Sequence, residues 1–253
     1  MRLLLTIQYK GTNFCGWQIQ PNCRTVQQTL TDAIFAVTGE NVTLHASGRT
    51  DAGVHALGQR GSFKGDFGIP TDRLLLAANN LLAGGMNSQR GVGDVRIIAA
   101  EEVPDDFHAR FSSRGKMYRY IIRNCPDVDI FQRNYCYQVR QPLDIEAMIE
   151  AAAYIEGTHD FKCFQAAGGQ EKETTVRTIH SLNIRRQSEN VIIEVSGDGF
   201  LYNMVRIIVG TLTEVGLGKK RPEDVGNIIE SRDRQKAGHT APAEGLYLVE
   251  IYY

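Results

Sequence analysis

Strand-like segments occur in runs along this chain, with helix-like segments between the runs, and this order restricts the folds it can adopt. Residues 2–8 alternate and are rich in Leu and Ile, which predicts a strand. Residues 177–184 and 191–195 are predicted to be paired strands joined around residues 188–190. Because the chain shows no strict alternation of strand, helix and strand, we predict an α+β fold with mostly antiparallel sheets.

Helical periodicity and further strand patterns predict most of the remaining elements. Thr25 is expected to cap a helix that stops near Gly39, and Thr71 to cap a helix that ends at Leu82. The other predicted helices lie at residues 145–155, 204–215 and 222–229, and the other predicted strands at residues 42–46, 95–99, 118–122 and 246–251. The turn-forming residues 104–106 predict a boundary that divides the chain into residues 1–104 and 105–253.

The composition argues against several classes of protein. No segment approaches the roughly 18 apolar residues that a membrane-spanning helix needs, and the apolar start ends too early for a signal peptide. The five cysteines are scattered, form no C-x-x-C pair and accompany no histidines at metal-ligand spacing. We therefore expect a cytoplasmic protein with reduced thiols, no metal ion and no membrane partner.

The loop at residues 48–55 is the segment that points most directly to chemistry. Asp51 lies between Gly48 and Gly53, so another group can approach its backbone closely. Arg49 lies two residues away, and a nearby guanidinium favours the ionised carboxylate that a nucleophile or base requires. From the residues alone, a tight turn in which Asp51 bonds to local backbone remains the alternative.

Cations and aromatic rings are interleaved in residues 107–123, which contain no acidic residue. The cations are Arg110, Arg114, Lys116, Arg119 and Arg123, and the rings include Phe107, Phe111, Tyr118 and Tyr120. Cations neutralise phosphates and aromatic faces stack on unpaired bases, so the segment suits RNA. The alternative is a half-buried strand with a solvated basic face, and the net charge of −1 argues mildly against nucleic acid.

Arg206 lies on an otherwise apolar predicted helix. A cation in such a position needs an anionic partner, because burying a charge unpaired is unfavourable. Asp51, Glu214 and Asp198 are the candidate partners. An arginine whose charged end reaches solvent is the alternative.

Ordered sequence blocks extend over nearly the whole chain. Besides the loop at residues 48–55, they are residues 9–12, 16–18, 25–27, 58–59, 103–111, 118–120, 157–161, 199–201, 204–206, 209–210 and 243–248. In these blocks the chain resembles the bacterial TruA family of tRNA pseudouridine synthases along essentially its whole length. The loop around Asp51 is the most specific of the matching motifs.

The resemblance implies roles for five residues. Asp51 matches the catalytic aspartate of the family, and Tyr118 matches the tyrosine that stacks against the target base. Arg206 matches the cation that pairs with the aspartate. Arg49 resembles an arginine that helps to displace the target uridine, and Leu246 an apolar residue that lines the pocket.

The resemblance also implies a fold and a reaction. The family fold is two tandem RRM-like (ferredoxin-like) α/β halves whose sheets abut around a central cleft. The aspartate loop would lie in residues 1–104, and the tyrosine strand and arginine helix in residues 105–253. The implied reaction converts uridines 38, 39 and 40 of the tRNA anticodon stem-loop to pseudouridine, in a homodimer and without a cofactor or metal.

Two departures from the family pattern and two alternative functions accompany this expectation. Lys10 stands where the family usually has Asp, and the loop at residues 83–93 is longer than usual. A catalytically silent RNA-binding protein of the same fold is one alternative function. A hydrolase with a pair of carboxylates, acting on nucleosides or glycans, is the other.

Overall fold

The computed structural model describes residues 1–84, 93–168 and 173–253, which form two compact units. Unit 1 comprises Met1–Arg114 together with Tyr247–Tyr253, and unit 2 comprises Gly115–Leu246. The boundary predicted between residues 104 and 105 falls inside unit 1. The longer loop predicted at residues 83–93 falls largely on residues 85–92, which lie outside the described residues.

The described residues form ten strands and five α-helices, which confirms the predicted α+β class. The strands are β1 (Arg2–Tyr9), β2 (His45–Ala46), β3 (His55–Lys64), β4 (Val95–Val103), β5 (Gly115–Asn124), β6 (Tyr137–Val139), β7 (Gly157–Asp160), β8 (Val176–Gln187), β9 (Asn190–Gly197) and β10 (Leu246–Tyr252). The helices are α1 (Val26–Thr38), α2 (Thr71–Leu82), α3 (Ile145–Ala153), α4 (Met204–Gly216) and α5 (Asp224–Ser231).

Unit 1 contains a β-α-β-β-α-β arrangement, as in ferredoxin-like folds. Strand β1 lies between β3 and β4 and is antiparallel to both. Strand β2 pairs antiparallel with the second half of β3, at Ser62 and Gly61. The first residues of β3 pair instead with β10, in the parallel sense, with Tyr247 opposite His55.

Local capping fixes both ends of α1. The Thr25 side chain accepts a hydrogen bond from the Gln28 amide at 3.3 Å. At the other end Gly39 has a φ of 74°, and its amide donates to the Phe35 carbonyl at 2.7 Å. Because glycine adopts this left-handed conformation without a steric penalty, the helix ends there, as predicted.

Two predicted elements were wrong in detail. Helix α2 begins at Thr71, but its N-cap is Pro70, and no side chain caps the helix. The strand predicted at residues 42–46 is reduced to His45–Ala46, because only these two residues pair with β3.

Strand β3 is a ten-residue element that the sequence pattern does not predict. Gly58 and Gly61 interrupt the apolar alternation, and Gln59 and Ser62 are buried polar residues within it. A Cβ added to Gly58 would lie 2.4 Å from the Val249 carbonyl oxygen, so the close approach of another backbone requires glycine here.

Unit 2 is built on an antiparallel sheet in the order β5, β9, β8, β7, with the short β6 parallel to β5. Helix α3 packs against α4 and β8, and α5 packs against β7. Helix α4 is buried along almost its entire length, which agrees with its apolar sequence. The second part of the predicted basic segment, residues 115–123, therefore lies on β5, and Arg206 lies in the first turn of α4.

Replacing Thr25 by alanine removes the side-chain acceptor at the start of α1. We expect the variant to lose about 1 kcal/mol of stability, which urea unfolding will show as a lower midpoint. Thr71→Ala is the matched control, because Thr71 caps nothing, and its effect should stay below about 0.5 kcal/mol. Equal losses in the two variants would contradict the capping role of Thr25.

Candidate active site

A tight turn presents the Asp51 carboxylate at the end of the loop between β2 and β3. The Val54 amide donates to the Asp51 carbonyl at 3.2 Å, and Gly53 has a φ of 82°. Thr50 is buried, Asp51 is half-buried and Arg49 is exposed. The loop thus fixes its backbone while leaving Asp51 partly accessible.

A glycine-containing segment, residues 11–17, braces this turn by backbone contact. The Trp17 amide donates to the Thr50 carbonyl at 3.0 Å. Gly16 has a φ of 92°, and a Cβ added to it would lie 2.7 Å from the Thr50 carbonyl oxygen. A Cβ added to Gly11 would lie 2.0 Å from the Val54 carbonyl oxygen, so both contacts require glycine.

A buried hydrogen-bond network lies behind the loop. The Tyr9 and Thr50 hydroxyls are 2.7 Å apart. The Gln59 amide group donates to the Gly48 carbonyl at 2.9 Å and to the Tyr9 hydroxyl at 3.4 Å, and it accepts from the Ser47 hydroxyl at 2.8 Å. Burial raises the pKa of Tyr9 to about 12, although its hydrogen bonds with Thr50 and Gln59 oppose the rise. The network is therefore neutral at physiological pH.

Asp94 anchors the outer side of the bracing segment. Its carboxylate accepts hydrogen bonds from Arg24 at 2.8 Å and Asn13 at 3.2 Å, and it forms an ion pair with Lys10 at 3.3 Å. Burial alone would raise the pKa of Asp94, but these three partners lower it. Lys10 therefore has a local anionic partner in this chain.

Tyr118 lies on β5 in unit 2, with its ring half-buried. Phe200 meets this ring edge-on, with the ring centroids 5.1 Å apart and the planes at 85°. Tyr120, two residues along the same strand, is buried and donates from its hydroxyl to the Pro242 carbonyl at 2.7 Å. Burial raises the pKa of Tyr120. Leu246, at the start of β10, is buried.

Short contacts orient the Arg206 side chain on α4. Its Nε donates to the Ala241 carbonyl at 2.7 Å, and Nη1 donates to the Asn203 side-chain oxygen at 2.9 Å. The Ala241 amide donates back to the Arg206 carbonyl at 3.0 Å. The guanidinium is half-buried and held from two sides.

Two of the three candidate partners for Arg206 have other contacts. Glu214 accepts hydrogen bonds from His239 and forms an ion pair with Lys220 at 3.5 Å. Asp198 accepts from the Thr178 amide at 3.1 Å.

The basic segment that follows residue 107 is partly neutralised by its neighbouring strand. Arg119 forms an ion pair with Glu194 at 2.7 Å, and Arg123 with Glu189 at 2.6 Å. Arg110 and Arg114 are exposed, and the Arg110 guanidinium lies 5.6 Å from the Phe111 ring centre. The acidic partners come from β9 and its preceding turn, so they are absent from the linear pattern of the segment.

The candidate residues are distributed over both units. Unit 1 holds Arg49, Asp51, Arg110 and Arg114, and unit 2 holds Lys116, Tyr118, Arg119, Arg206 and Leu246. The sequence pattern did not identify Tyr9, Thr50 and Gln59 as supports of the Asp51 loop. Their contacts span 41 and 50 residues of chain, and no local pattern reports such a pairing.

Within residues 1–84, 93–168 and 173–253, no group of three or more His, Cys, Asp or Glu side chains could hold a metal ion. Over the same ranges, no helix has the length and apolar character needed to cross a bilayer.

Comparison with known proteins gives consistent results along the chain. The family described as tRNA pseudouridine synthase matches residues 5–112 and 151–253. A tRNA pseudouridine synthase A from Acetivibrio thermocellus is 51% identical over 249 residues, covering 98% of each chain. The protein of that name from Ruminiclostridium cellulolyticum is 49% identical over 253 residues, covering 100% of this chain and 99% of its own.

A more distant likeness is found among solved structures. The chain titled "Crystal Structure of a Cbf5-Nop10-Gar1 Complex" aligns with 97% of this chain, at 10% identity and a TM-score of 0.36. This chain spans 57% of the length of that one.

Tyr9→Phe removes the central hydroxyl of the buried network. Since folding raises the pKa of Tyr9 from 10.0 to about 12, its stabilising contribution is complete below pH 10 and is lost as the pH rises towards 12. We expect the unfolding temperature of the variant to fall less steeply over this range than that of the wild type. At neutral pH the variant should be less stable by about 1 kcal/mol.

Thermal unfolding at a series of pH values checks this expectation, with Tyr154→Phe as the control because Tyr154 is exposed. Parallel pH profiles for wild type and Tyr9→Phe would show that Tyr9 is not held neutral by burial.

Proposed function

The chain belongs to the tRNA pseudouridine synthase family of isomerases, and we propose from this premise that it converts uridines 38, 39 and 40 of the tRNA anticodon stem-loop to pseudouridine. The observation that carries the proposal is the braced Asp51 loop. Its backbone is fixed by two glycine contacts and a buried network, while Asp51 remains partly accessible. Fixed orientation of a reactive group is what such a reaction requires of the protein.

The bond changes define what the carboxylate must do. The C1′–N1 glycosidic bond breaks, the uracil rotates, and C5 of the base is joined to C1′; C5 then loses its hydrogen as a proton and N1 gains a proton, so the composition is unchanged. An ionised carboxylate at the sugar serves this reaction either by attacking C1′ or by promoting elimination at the ribose. In both routes Asp51 is the proposed reactive group, and no cofactor takes part.

The target base must leave the stacked stem before it reacts, which costs a few kcal/mol. We propose that the Tyr118 ring packs against the displaced uracil, because Phe200 already holds that ring edge-on. Arg49 is exposed beside Asp51, and we propose that it helps to displace the uridine. Leu246 would supply an apolar contact to the base.

Arg206 is the proposed cation that keeps Asp51 ionised. Its guanidinium is oriented by Ala241 and Asn203, both of which accept hydrogen bonds without carrying a charge. A guanidinium close to a carboxylate lowers the pKa of that carboxylate, so an arginine held in a fixed orientation suits this role. The separate engagement of Glu214 and Asp198 supports this choice of partner.

Further cations would bind the RNA backbone. Arg110 and Arg114 are the strongest candidates, because both are exposed. Lys116 is half-buried, and Arg119 shares its charge with Glu194, so we propose a smaller contribution from these two.

We propose a cytoplasmic homodimer as the working assembly. A 28.2 kDa subunit with a net charge of −1 offers little basic surface to a whole tRNA, and two copies would double the cations available. Ile130 and Phe131 are 69% and 84% exposed, which suits burial against a partner. Sedimentation of the pure protein at micromolar concentration distinguishes this dimer from a monomer.

Asp51→Asn keeps the size of the side chain but removes its charge and nucleophilicity. We expect a folded protein that binds unmodified tRNA at least as tightly as wild type and forms no detectable pseudouridine. The measurement is carbodiimide-reactive uridine, formed without a change in RNA mass.

Asp66→Asn is the matched control, since Asp66 is an exposed loop aspartate of the same unit. It should retain wild-type turnover. If Asp51→Asn keeps even a tenth of wild-type turnover, equivalent to about 1.4 kcal/mol of barrier, Asp51 is not the essential carboxylate.

Arg206→Met replaces the oriented cation on α4 by an uncharged, unbranched side chain. We expect kcat to fall by roughly 10²–10³, the usual effect of losing one oriented electrostatic partner, while tRNA affinity changes little. Single-turnover rates and filter binding separate the two effects. Arg186→Met, at an exposed position on β8, is the control. Full activity of Arg206→Met would show that Asp51 has no functional need of this arginine.

A further inference from the structure

A cavity of about 640 Å³ lies in unit 2, between β6 with the residues after it and the C-terminal end of α4. None of the residues to which the proposed function gives a catalytic or base-binding role lines it. Val139 and Leu217 supply apolar surface, and polar or charged side chains make up most of the remaining wall. Its contents are therefore expected to be polar.

Two cations at this cavity have no carboxylate partner. Arg140 and Lys219 both line it, and neither forms an ion pair with any of the residues that the structure describes. Both side chains are exposed, so a ligand can reach them. The wall of the cavity therefore includes two cationic residues that a ligand can reach.

The single acidic residue in the wall, Glu214, is already compensated. It forms an ion pair with Lys220, and it accepts hydrogen bonds from the His239 amide at 2.9 Å and the His239 ring at 3.1 Å. Burial alone would raise the pKa of Glu214, but His239 and Lys220 lower it. The carboxylate therefore remains ionised and bound to its own partners, which reduces its repulsion of a second anion.

The end of α4 is also capped internally. The Leu217 amide donates to the Thr213 carbonyl at 3.0 Å, and the Lys219 amide to the Glu214 carbonyl at 2.9 Å. These bonds satisfy carbonyl groups whose partial negative charge would otherwise oppose an anion at a helix C-terminus.

Neutral hydrogen-bonding groups complete the wall. The Tyr137 hydroxyl lies 3.2 Å from His239 Nε2, and Gln141 is exposed at the cavity. Two cations together with hydroxyl, imidazole, amide and apolar groups match a ribose-phosphate unit, whose phosphate binds cations and whose sugar contacts polar and apolar surface.

We propose that this cavity binds a phosphodiester of the tRNA backbone, as an anchoring site additional to the contacts made with the target base. The proposal rests on the proposed function, since it takes tRNA as the substrate. Such a site positions the RNA and carries no sequence information, so it contributes to substrate affinity and leaves the chemical step unchanged.

The test measures pseudouridine formation in full-length unmodified tRNA at about 50 mM and about 200 mM salt. The variants are Arg140→Gln, Lys219→Gln and the double variant, each checked for wild-type thermal stability. Arg140→Lys with Lys219→Arg is the charge-preserving control. Arg133→Gln with Lys162→Gln removes two exposed charges of unit 2 that do not line the cavity.

The quantity compared is the ratio of KM at the higher salt concentration to KM at the lower one. This ratio should be about threefold smaller than in wild type for each single glutamine variant, which loses one phosphate contact, and about tenfold smaller for the double variant. At the lower salt concentration KM should rise in the glutamine variants, while kcat stays at its wild-type value. The charge-preserving variant should behave as wild type, and the variant at residues 133 and 162 should keep the wild-type salt dependence.

An unchanged KM and salt dependence in the double glutamine variant would overturn the phosphodiester site. So would an equal effect in the variant at residues 133 and 162, because the cavity would then have no special role. Failure of the proposed function is a different result, in which the wild-type protein itself forms no pseudouridine in any tRNA.

Discussion

The hydrogen bond between the Tyr9 and Thr50 hydroxyls is the interaction on which the candidate active site most depends. It joins the end of β1 to the residue that precedes Asp51, inside a region from which water is excluded. A buried hydroxyl without a partner is costly, so each of the two groups fixes the position of the other. Gln59 donates hydrogen bonds to both the Tyr9 hydroxyl and the Gly48 carbonyl. The buried network therefore fixes the loop at Gly48 as well as at Thr50.

Both units hold a proposed functional segment by close backbone contact that glycine permits. In unit 1, Gly16 allows residues 11–17 to lie against the Asp51 turn. In unit 2, a Cβ added to Gly210 would lie 1.8 Å from the His239 carbonyl oxygen, and the Gly238 amide donates to the Thr211 hydroxyl at 2.8 Å. These contacts bring the chain beside α4, where Ala241 orients Arg206. The loop in unit 1 and the helix in unit 2 are thus both fixed by backbone contacts that only glycine permits.

Local features could be predicted from the sequence, and features that depend on distant partners could not. The cap at Thr25 and the stop at Gly39 were correct, because each is decided within one helical turn. Thr71 was the wrong cap because Pro70, next to it, adopts the extended conformation that precedes the helix. The glycines on either side of Asp51 indicated a tight turn at this residue, whereas its proposed role came from the family resemblance. The support by Tyr9 required knowledge of pairing across 41 residues, which no short pattern contains.

The last residues of the chain, Tyr247–Tyr253, belong to unit 1, and this affects when unit 1 can finish folding during translation. Strand β3 receives its parallel neighbour from β10, and the rings of His55 and Tyr247 stack with their centres 4.7 Å apart. The Tyr253 hydroxyl donates to the Ala109 carbonyl at 2.9 Å. During translation these residues emerge only after the whole of unit 2 has been synthesised, although nascent domains generally fold from the N-terminus onwards. Unit 1 of a growing polypeptide therefore stays unfinished on the ribosome until the whole of unit 2 has been synthesised.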